Sequence, residues 1–374
     1  MLRLVYICRA DLARKNLLGV KKKIFSQVRV FKEHFDTTLV CVENKYLTVF
    51  KNEEKAKIYY LGCINKRKRF YKKVCSLLDE SDVLYIRYAY SDPYFISFLK
   101  LAKQRDKRIL LEFPTFPYIF ENKFNNIKYV VILLIDRIYF KKLSDYCDYF
   151  IAYNDSGFSF KEKCIKLENG IDVQSVPIKK RKSDAGQEES LDLIAIGNIS
   201  FWHGLDRVIK GMKDYYMSGN KKINVNFKII GEGDEVLNLR RLVERLDLSR
   251  CVKFYATLEG LALDKMFDDS DIAIGGLGIH RKKVKKASSL KTREYCARGI
   301  PFVDSGDDED FPERFKFRLR ISSDEENVDI DRIIRFFHSI RKTDYGKEMR
   351  DYAFCNLDWK IKLSPIIEKI KSIC

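Results

Sequence analysis

The feature that most constrains the fold is a repeated alternation of short apolar runs with longer amphipathic runs. Residues 2–8 form a continuous apolar run, and residues 20–34 follow as an amphipathic one. A buried parallel strand and a surface helix give these two patterns. The same order recurs along the chain, which indicates βαβ units and a parallel sheet with both faces covered.

The alternation stops once, at residues 174–190, and then starts again. This stretch is first rich in Lys and Arg and then in small polar residues, without apolar periodicity, so it predicts a linker. The predicted strands before it are 37–42, 57–61, 83–87, 108–112 and 149–153, and the predicted helices are 67–78, 93–105 and 127–143. After it, strands are predicted at 191–196, 252–256, 271–275 and 300–303, and residues 226–233 predict a strand that ends in Gly-Glu-Gly. Helices are predicted from Leu205 and between the strand at 252–256 and Phe267. The chain therefore predicts two domains, at residues 1–173 and 191–355, followed by a closing helix at 356–374.

Charge is divided unequally between the two halves. The formal net charge is +18; residues 1–182 hold 37 Lys and Arg against 20 Asp and Glu, and the rest hold 34 against 33. A strongly basic half favours nucleic acid or an anionic membrane as partner. The candidate membrane contacts are the basic cluster at 66–73 and the apolar helix at 127–143. A solvated helix face and a buried core helix are the alternatives.

The cysteine spacing and the length of the apolar runs indicate in which cellular compartment the protein works. The ten cysteines show no C-x-x-C spacing, which is typical of a reducing environment. The N-terminus is charged too early for a signal peptide, and no apolar run has the length of a membrane span. We therefore expect a cytoplasmic protein that is soluble or peripheral.

The stretch from Ser288 to Pro301 predicts a capped helix with a binding function. Serines open it, and Ser at a helix start accepts hydrogen bonds from unpaired backbone N–H groups. Gly299 is a typical C-cap. Lys291 lies in the first turn beside N–H groups that favour phosphate, and Glu294 lies where it can accept hydrogen bonds from a sugar diol. This combination indicates a nucleotide-sugar site, although an ordinary capped helix with a solvated Lys–Glu pair fits the same residues.

This stretch resembles the donor-site helix of retaining GT-B glycosyltransferases of family 4, or group 1, whose motif is E-x7-E-A-x-A-x-G-x-P. Glu294 matches the second Glu, and Gly299 and Pro301 match the closing Gly and Pro. Lys286 stands in place of the first Glu, which in the family contacts the transferred sugar. The resemblance implies an α/β fold of two Rossmann-like domains facing across a cleft. It also implies that the C-terminal helix packs back on the first domain.

The resemblance extends to the loop after the strand at 191–196. The family's Gly-Arg-Leu-x-x-x-Lys-Gly loop holds the donor diphosphate, and here Gly197 and Gly204 match its glycines. Asn198 and His203 stand in place of Arg and Lys; His203 can still donate a hydrogen bond, and Lys291 can supply the missing cation. The implied donor-binding residues are Gly197, Asn198, His203, Gly204, Ser288, Ser289, Lys291 and Glu294.

The catalytic side of the site is less marked in the sequence. Many relatives place a histidine of the first domain beside the transferred sugar, but here the only histidine before the linker is His34, inside a predicted helix. Residues 112–121 follow a predicted strand at its carboxyl end, where ligands bind in open α/β sheets. Glu112 is our predicted catalytic group, with a structural carboxylate as the alternative. The acceptor-side candidates are Gly19, Tyr118 and Glu121.

These observations lead to one expected function and two alternatives. We expect sugar transfer from a nucleotide-diphosphate donor to a glycan acceptor, lipid-linked, in bacterial surface polysaccharide synthesis, with retention implied by the resemblance. We expect no cofactor, no metal requirement and no nucleic-acid partner, and a location at the inner face of the membrane. A nucleotide-sugar epimerase on the same fold and a non-catalytic basic RNA-binding protein are the alternatives.

Overall fold

The computed structural model divides the chain into two units. Unit 1 comprises Met1–Glu168 and Trp359–Cys374, and unit 2 comprises Asn169–Asp358. The structure describes residues 1–14, 17–52, 54–62, 65–114, 127–153, 160–180, 190–219, 223–284, 286 and 288–374. Of the stretch predicted as a linker, residues 181–189 lie outside this description. Val176, by contrast, belongs to the hydrophobic core of unit 2.

Unit 1 contains an eight-stranded sheet in the order β4-β3-β2-β1-β5-β6-β7-β8. The strands are β1 (Arg3–Asp11), β2 (Asp36–Glu43), β3 (Tyr46–Lys51), β4 (Glu54–Tyr60), β5 (Val83–Arg87), β6 (Arg108–Phe113), β7 (Tyr149–Ala152) and β8 (Cys164–Lys166). The helices are α1 (Leu18–Lys32), α2 (Lys66–Val74), α3 (Pro93–Gln104), α4 (Ile127–Phe140) and, at the C-terminus, α11 (Trp359–Ile373). The sheet is parallel except at β3 and β4.

Two hydrophobic clusters cover the two faces of this sheet. On one face, Ile24, Val28 and Phe31 of α1 pack with Trp359 and Leu363 of α11. The spacing of the apolar residues in α1 places them on one side of a helix, as its sequence predicts. The opposite face is covered from α2 and α3. Helix α11 thus belongs to the core of unit 1, although nearly two hundred residues of unit 2 separate it from the rest.

The antiparallel hairpin of β3 and β4 departs from the predicted pattern. The sequence predicts a strand at 57–61 but none at 46–51. Asn44 adopts a φ of 57° at the turn between β2 and β3, a conformation that Asn tolerates better than most residues. Strand β4 is the sheet edge and is almost wholly exposed, with Lys55 and Lys57 on it. Lysines on an edge strand discourage pairing with other chains.

Unit 2 contains a six-stranded parallel sheet in the order β11-β10-β9-β12-β13-β14. The strands are β9 (Ser190–Ile196), β10 (Asn224–Ile230), β11 (Val252–Tyr255), β12 (Ile272–Ile274), β13 (Phe302–Ser305) and β14 (Arg318–Ile321). The helices are α5 (Leu205–Met217), α6 (Val236–Arg245), α7 (Gly260–Asp268), α8 (Leu290–Arg298), α9 (Ile330–Ile340) and α10 (Tyr345–Asn356). Helices α9 and α10 and strand β14 add to the elements that the sequence predicts.

Candidate functional site

Helix α8 begins and ends where the sequence predicts. Ser289 is the N-cap, and its hydroxyl accepts a hydrogen bond from the Lys291 N–H at 3.3 Å. Gly299 closes the helix with a φ of 69°, a conformation that costs glycine little. Tyr295, Cys296 and Ala297 are fully buried. The inner face of α8 therefore fixes the helix on the sheet, and its first turn presents Lys291.

Lys291 meets His203 at the start of this helix. The two side-chain nitrogens, Lys291 Nζ and His203 Nε2, lie 3.0 Å apart. His203 Nδ1 accepts a hydrogen bond from the Ser200 N–H at 3.0 Å, so the neutral ring carries its proton on Nε2. The Nε2–H then donates to an uncharged Lys291 amine. Two nitrogen groups that can each donate to an oxyanion are thus held side by side.

The electrostatics of this pair favour the uncharged forms when no anion is bound. Burial lowers the pKa of Lys291 to about 7, and the charge of Lys282 adds to the effect. Burial, followed by the charges of Lys291 and Lys282, lowers the pKa of His203 well below its usual value. An anion between the two nitrogens would reverse these effects. The pair therefore has the properties of an anion-binding site.

The loop after β9 leaves space for the Lys291 side chain at Gly197. Gly197 adopts a φ of 119°, and a Cβ atom there would lie 2.7 Å from the Lys291 Cε. Glycine adopts this φ without strain, and its missing Cβ leaves space for the end of the Lys291 side chain. At Gly204 a Cβ atom would lie 2.7 Å from the Gly278 backbone nitrogen, and the Leu277 N–H donates to the His203 carbonyl at 2.9 Å. The loops after β9 and β12 therefore pack backbone to backbone around the pair.

Two further donor candidates, Asn198 and Glu294, differ in their exposure and in their hydrogen-bond partners. Asn198 is exposed on the same loop. Glu294 accepts a hydrogen bond from the Arg298 Nε at 3.0 Å, and its side chain is 20% exposed. Arg298 also pairs with Asp264 at 2.7 Å. The Glu294 carboxylate is thus held by one cation and retains access to solvent.

Ser288 is engaged by the turn that opens unit 2. Its hydroxyl accepts a hydrogen bond from the Asn169 N–H at 2.8 Å, and its carbonyl accepts one from the Asn169 side chain at 2.5 Å. The Asn169 carbonyl in turn accepts from the Arg293 Nε at 3.0 Å. Ser288 therefore positions the start of α8 through its own side chain, while Ser289 caps the helix.

The acidic run at 307–310 is in part a buried structural element. Arg293 is fully buried, and both Asp308 and Asp310 form ion pairs with its guanidinium. A buried guanidinium requires such partners. Lys286, at the position of the missing motif Glu, pairs with Glu309 of the same run at 2.8 Å. These ion pairs join residues that are not neighbours in the sequence, and the sequence alone does not predict them.

Lys282 is a further cation near this pair, and it has no counterpart in the family motifs. Its Nζ lies 4.3 Å from the centre of the Trp202 ring, next to His203 in sequence. Its charge acts on both Lys291 and His203, as their lowered pKa values show. The signal in the sequence is its place in the basic segment 281–286, directly after the Gly-rich turn 275–278. The site of unit 2 thus contains two lysines and one histidine.

In unit 1 the structure corrects the expected placement of two candidates. Glu112 does not project from a loop; it lies within β6 and is fully buried. Its carboxylate accepts hydrogen bonds from Arg87 at 2.7 Å and from the Tyr85 hydroxyl at 2.7 Å, and the Lys23 ammonium lies 3.6 Å away. Gly19 lies in the first turn of α1 rather than in the preceding loop. Tyr118 and Glu121 are outside the described residues.

The charges around Glu112 keep it ionised. Burial would raise its pKa, but the charges of Lys23 and Arg87 and the Tyr85 hydrogen bond outweigh burial, and the pKa lies below the usual value. Burial lowers the pKa of Lys23 to about 7 despite Glu112. The Lys23 ammonium also lies 3.6 Å from the centre of the Tyr153 ring. These contacts tie α1 to the sheet, and direct substrate contact by Glu112 would require them to rearrange.

The chain is similar to known proteins in two ways: part of unit 2 matches a family model, and the fold of the whole chain resembles solved structures. Residues 178–305 match the family model of glycosyl transferases group 1, and no curated protein matches the chain. Among solved structures, Anabaena HepE with UDP-glucose is similar over 100% of both chains, at 12% identity and a TM-score of 0.64. Sucrose-phosphate synthase from Thermosynechococcus elongatus is similar over 100% of both chains, at 11% identity and a TM-score of 0.66.

A third similar structure is WaaG, a glycosyltransferase involved in lipopolysaccharide biosynthesis. The similarity covers 97% of this chain and 99% of WaaG, at 12% identity and a TM-score of 0.60. At these identities the likeness shows the fold. The fold is that of the GT-B glycosyltransferases, and residues 178–305 match glycosyl transferases group 1, which together indicate a nucleotide-sugar-dependent glycosyltransferase. The matched residues lie within unit 2. The prediction made from Glu294, Gly299 and Pro301 is confirmed in this respect.

Proposed function

We propose that the protein transfers a hexose from a nucleotide-diphosphate donor to a lipid-linked glycan acceptor during synthesis of a bacterial surface polysaccharide, with retention of anomeric configuration. HepE, which binds UDP-glucose, and WaaG, which acts in lipopolysaccharide biosynthesis, share the fold and support this assignment. Unit 2 binds the donor, and unit 1 binds the acceptor.

The observation that carries the proposal is the Lys291–His203 pair over Gly197. A donor diphosphate between the two nitrogens accepts hydrogen bonds from a protonated Lys291 and from His203 Nε2–H, and the first turn of α8 favours its charge. When the bond from the anomeric carbon to the diphosphate oxygen breaks, these groups stabilise the negative charge that develops on the leaving group. The acceptor oxygen forms the new bond, and its proton passes to a diphosphate oxygen. We propose that Lys291 and His203 act here in place of a metal ion.

The other candidates take supporting roles in this proposal. Glu294 accepts hydrogen bonds from the ribose hydroxyls, and Asn198 lies at the exposed edge of the same loop. Glu112 provides the polar group of unit 1, and its burial means that it acts through Arg87 and Lys23 rather than by contact with the sugar. Glu112 is therefore a positioning residue in this proposal.

We also propose that unit 1 binds the inner face of the membrane. Helix α4 exposes an apolar stripe, hereafter the α4 stripe, at Val130 (38% exposed), Val131 (48%), Leu134 (58%) and Ile138 (66%). Helix α2 exposes basic side chains at Lys66, Lys68, Arg69, Lys72 and Lys73. Exposed apolar and cationic side chains on the same unit fit an anionic bilayer surface. Among the described helices none is both long and apolar enough to cross a bilayer.

The donor assignment can be tested by ligand-induced stabilisation. A panel of nucleoside diphosphates and nucleotide sugars should include one that raises the Tm, because a ligand bound only by the folded state stabilises it. Lys291→Ala should abolish the shift from the diphosphate and leave the shift from the free nucleoside. Lys210→Ala, which removes a half-exposed side chain paired with Asp206 of the same helix, should change neither. The proposal fails if no nucleotide shifts the Tm, or if both variants respond like the wild type.

A further inference from the structure

Two short 3-10 helices contact each other at the proposed donor site of unit 2. One, Phe201–His203, lies in the loop after β9, and the other, Ile279–Lys282, lies in the loop after β12. Arg281 joins them, because its Nη1 donates to the Phe201 carbonyl at 2.7 Å and its guanidinium lies 4.1 Å from the centre of the Phe201 ring. The Arg281 side chain is buried and also pairs with Asp206 of α5 at 2.8 Å. These contacts fix the end of the second 3-10 helix beside the first.

Lys282, the last residue of the second 3-10 helix, lies close to Lys291 and His203. Its Nζ is 4.3 Å from the centre of the Trp202 ring, and the centroids of the Trp202 and His203 rings are 6.2 Å apart. His203 Nε2 is 3.0 Å from Lys291 Nζ. Besides burial, the charge of Lys282 lowers the pKa of Lys291 and contributes to the lowered pKa of His203. Since such an effect falls off with distance, three nitrogen-bearing side chains are gathered in one small region.

The Lys291–His203 pair by itself supplies at most a single positive charge to an anion. His203 Nδ1 accepts a hydrogen bond from the Ser200 N–H, so Nε2 carries the proton of a neutral ring. Burial and the charges of the two lysines lower the pKa of that ring well below its usual value. Each phosphate of a sugar-linked diphosphate carries a negative charge, and a charge taken into a buried site requires an opposite one. A diphosphate on the pair therefore needs a second cation from a neighbouring element.

We propose that Lys282 is this second diphosphate-binding cation and that the Trp202 ring holds it in place. The inference rests on the proposed function and deepens it, because it adds a residue outside the family motifs to the donor site. The face of the Trp202 ring stabilises the Lys282 ammonium near Lys291, although like charges repel each other. A diphosphate attracts both ammonium groups, so its binding replaces repulsion with charge-assisted contacts. Lys282 then shares with Lys291 the negative charge that develops on the leaving diphosphate.

Binding of the symmetrical dimethyl diester of pyrophosphate to the full chain tests the proposal. Like a sugar-linked diphosphate, this probe has a charge that does not change between pH 6 and pH 9, and its methyl signals allow titration by nuclear magnetic resonance. At pH 6, Lys282→Met should weaken binding about tenfold or more, since a charge-assisted contact is lost, and Lys282→Arg should restore most of it. Lys283→Met is the matched control, because it removes the same charge from the next residue, which is exposed. Equal losses in Lys282→Met and Lys283→Met would overturn the proposal.

The pH dependence of the loss separates direct contact from a structural role. Because the charge of Lys282 lowers the pKa of Lys291, Lys282→Met should raise that pKa. Above pH 7 the wild type must protonate Lys291 when the diester binds, and the variant needs less of this proton uptake. The affinity ratio of wild type to Lys282→Met should therefore be largest at pH 6 and smaller at pH 9. A lysine that only packed on Trp202 would give the same ratio at both pH values, and that result would contradict the proposal.

Variants of Trp202 test whether the ring holds the lysine. Trp202→Phe keeps an aromatic face for Lys282 and should bind the diester nearly as tightly as the wild type. Trp202→Leu removes the face and should weaken binding several-fold, and the Tm of each unliganded variant shows whether it has folded. Wild-type affinity in Trp202→Leu would overturn the role of the ring.

Three outcomes separate this inference from the proposed function. If a nucleoside diphosphate raises the Tm of the wild type and of Lys282→Met equally, this inference alone is contradicted. If the wild type binds the diester through Lys282 while no nucleotide raises its Tm, the inference is supported and the proposed function is contradicted. If the wild type binds neither the diester nor any nucleotide, both are wrong.

Discussion

At the scale of single residues, we expect Lys291 to couple diphosphate binding to the uptake of a proton. Its pKa of about 7 in the unliganded protein means that the amine is largely neutral at pH 8, whereas a bound diphosphate favours the ammonium form. Diphosphate binding above the lowered pKa must therefore take up a proton, and affinity should fall up to about tenfold per pH unit above pH 7. Below pH 7 the amine is already charged, and affinity should not depend on this group.

Calorimetry in two buffers of different ionisation enthalpy measures this proton uptake directly. We expect close to one proton taken up per diphosphate at pH 8, and none through this group in Lys291→Met. The lowered pKa of Lys291 also affects how the free energy of unfolding depends on pH. Since the unfolded chain binds more protons than the folded one between about pH 7 and 10.5, the contribution of Lys291 to stability should rise with pH in that window and vanish in Lys291→Met. A pH-independent affinity in the wild type would contradict the argument.

Glu294 can be separated from its structural partner by a matched pair of variants. Glu294→Gln removes the charge that would accept from the ribose hydroxyls, and we expect a loss of about 1.5–3 kcal/mol in nucleoside diphosphate affinity. Asp264→Asn removes the other carboxylate that holds Arg298 and should leave the affinity unchanged. Equal losses in the two variants would mean that Glu294 acts by orienting Arg298.

At the scale of elements, the buried Glu112 fixes β6 to α1 and β5. Glu112→Gln leaves Lys23 and Arg87 without their carboxylate, and breaking a buried ion pair in this way typically costs about 3–5 kcal/mol. We expect urea unfolding to show that loss and steady-state kinetics to show reduced turnover, with the nucleoside diphosphate affinity unchanged. Lys23→Met with Glu112→Gln should recover part of the stability but not the turnover. Unchanged turnover in a folded Glu112→Gln variant would remove it from the site.

The elements that the sequence predicts are those whose signals are local. The Ser289 cap and Gly299 define α8 because a helix end depends on residues within one turn. The pairing of β3 with β2 and β4 is not predicted, since it depends on a turn at Asn44 and on partners elsewhere. Arg293 with Asp308 shows the same limit: both residues look like surface charges in sequence, and only the fold brings them into one buried pair.

The proposed donor site also depends on contacts between residues that are distant in sequence. The sequence indicates that Lys291 and His203 serve one ligand only through a family motif, because 88 residues separate them. Their contact depends on the space left by Gly197 and on the packing of the loops after β9 and β12. Lys282 has no counterpart in the motif, so its effect on both residues becomes visible only in three dimensions.

At the scale of the whole molecule, the charge difference between the halves of the sequence persists between the structural units. Unit 1, with its C-terminal helix included, holds 37 Lys and Arg against 20 Asp and Glu, and unit 2 holds 34 against 33. A charge shared by both units would suit general solubility. Concentration of the charge in the unit that exposes the α4 stripe favours a membrane-facing role.

We therefore expect the protein to sediment with vesicles that contain anionic lipid at low salt and to be released as salt rises, since each surface Lys or Arg contributes about 1 kcal/mol within a Debye length. Changing Lys66, Lys68, Lys72 and Lys73 of α2 to Glu should abolish sedimentation. Changing the exposed Arg240, Arg241, Arg245 and Arg250 in and just after α6 of unit 2 alters the net charge equally and should have little effect. If both quadruple variants lose vesicle binding to the same extent, binding depends on net charge and not on this face of unit 1. If the wild type stays in the supernatant, the membrane role is wrong.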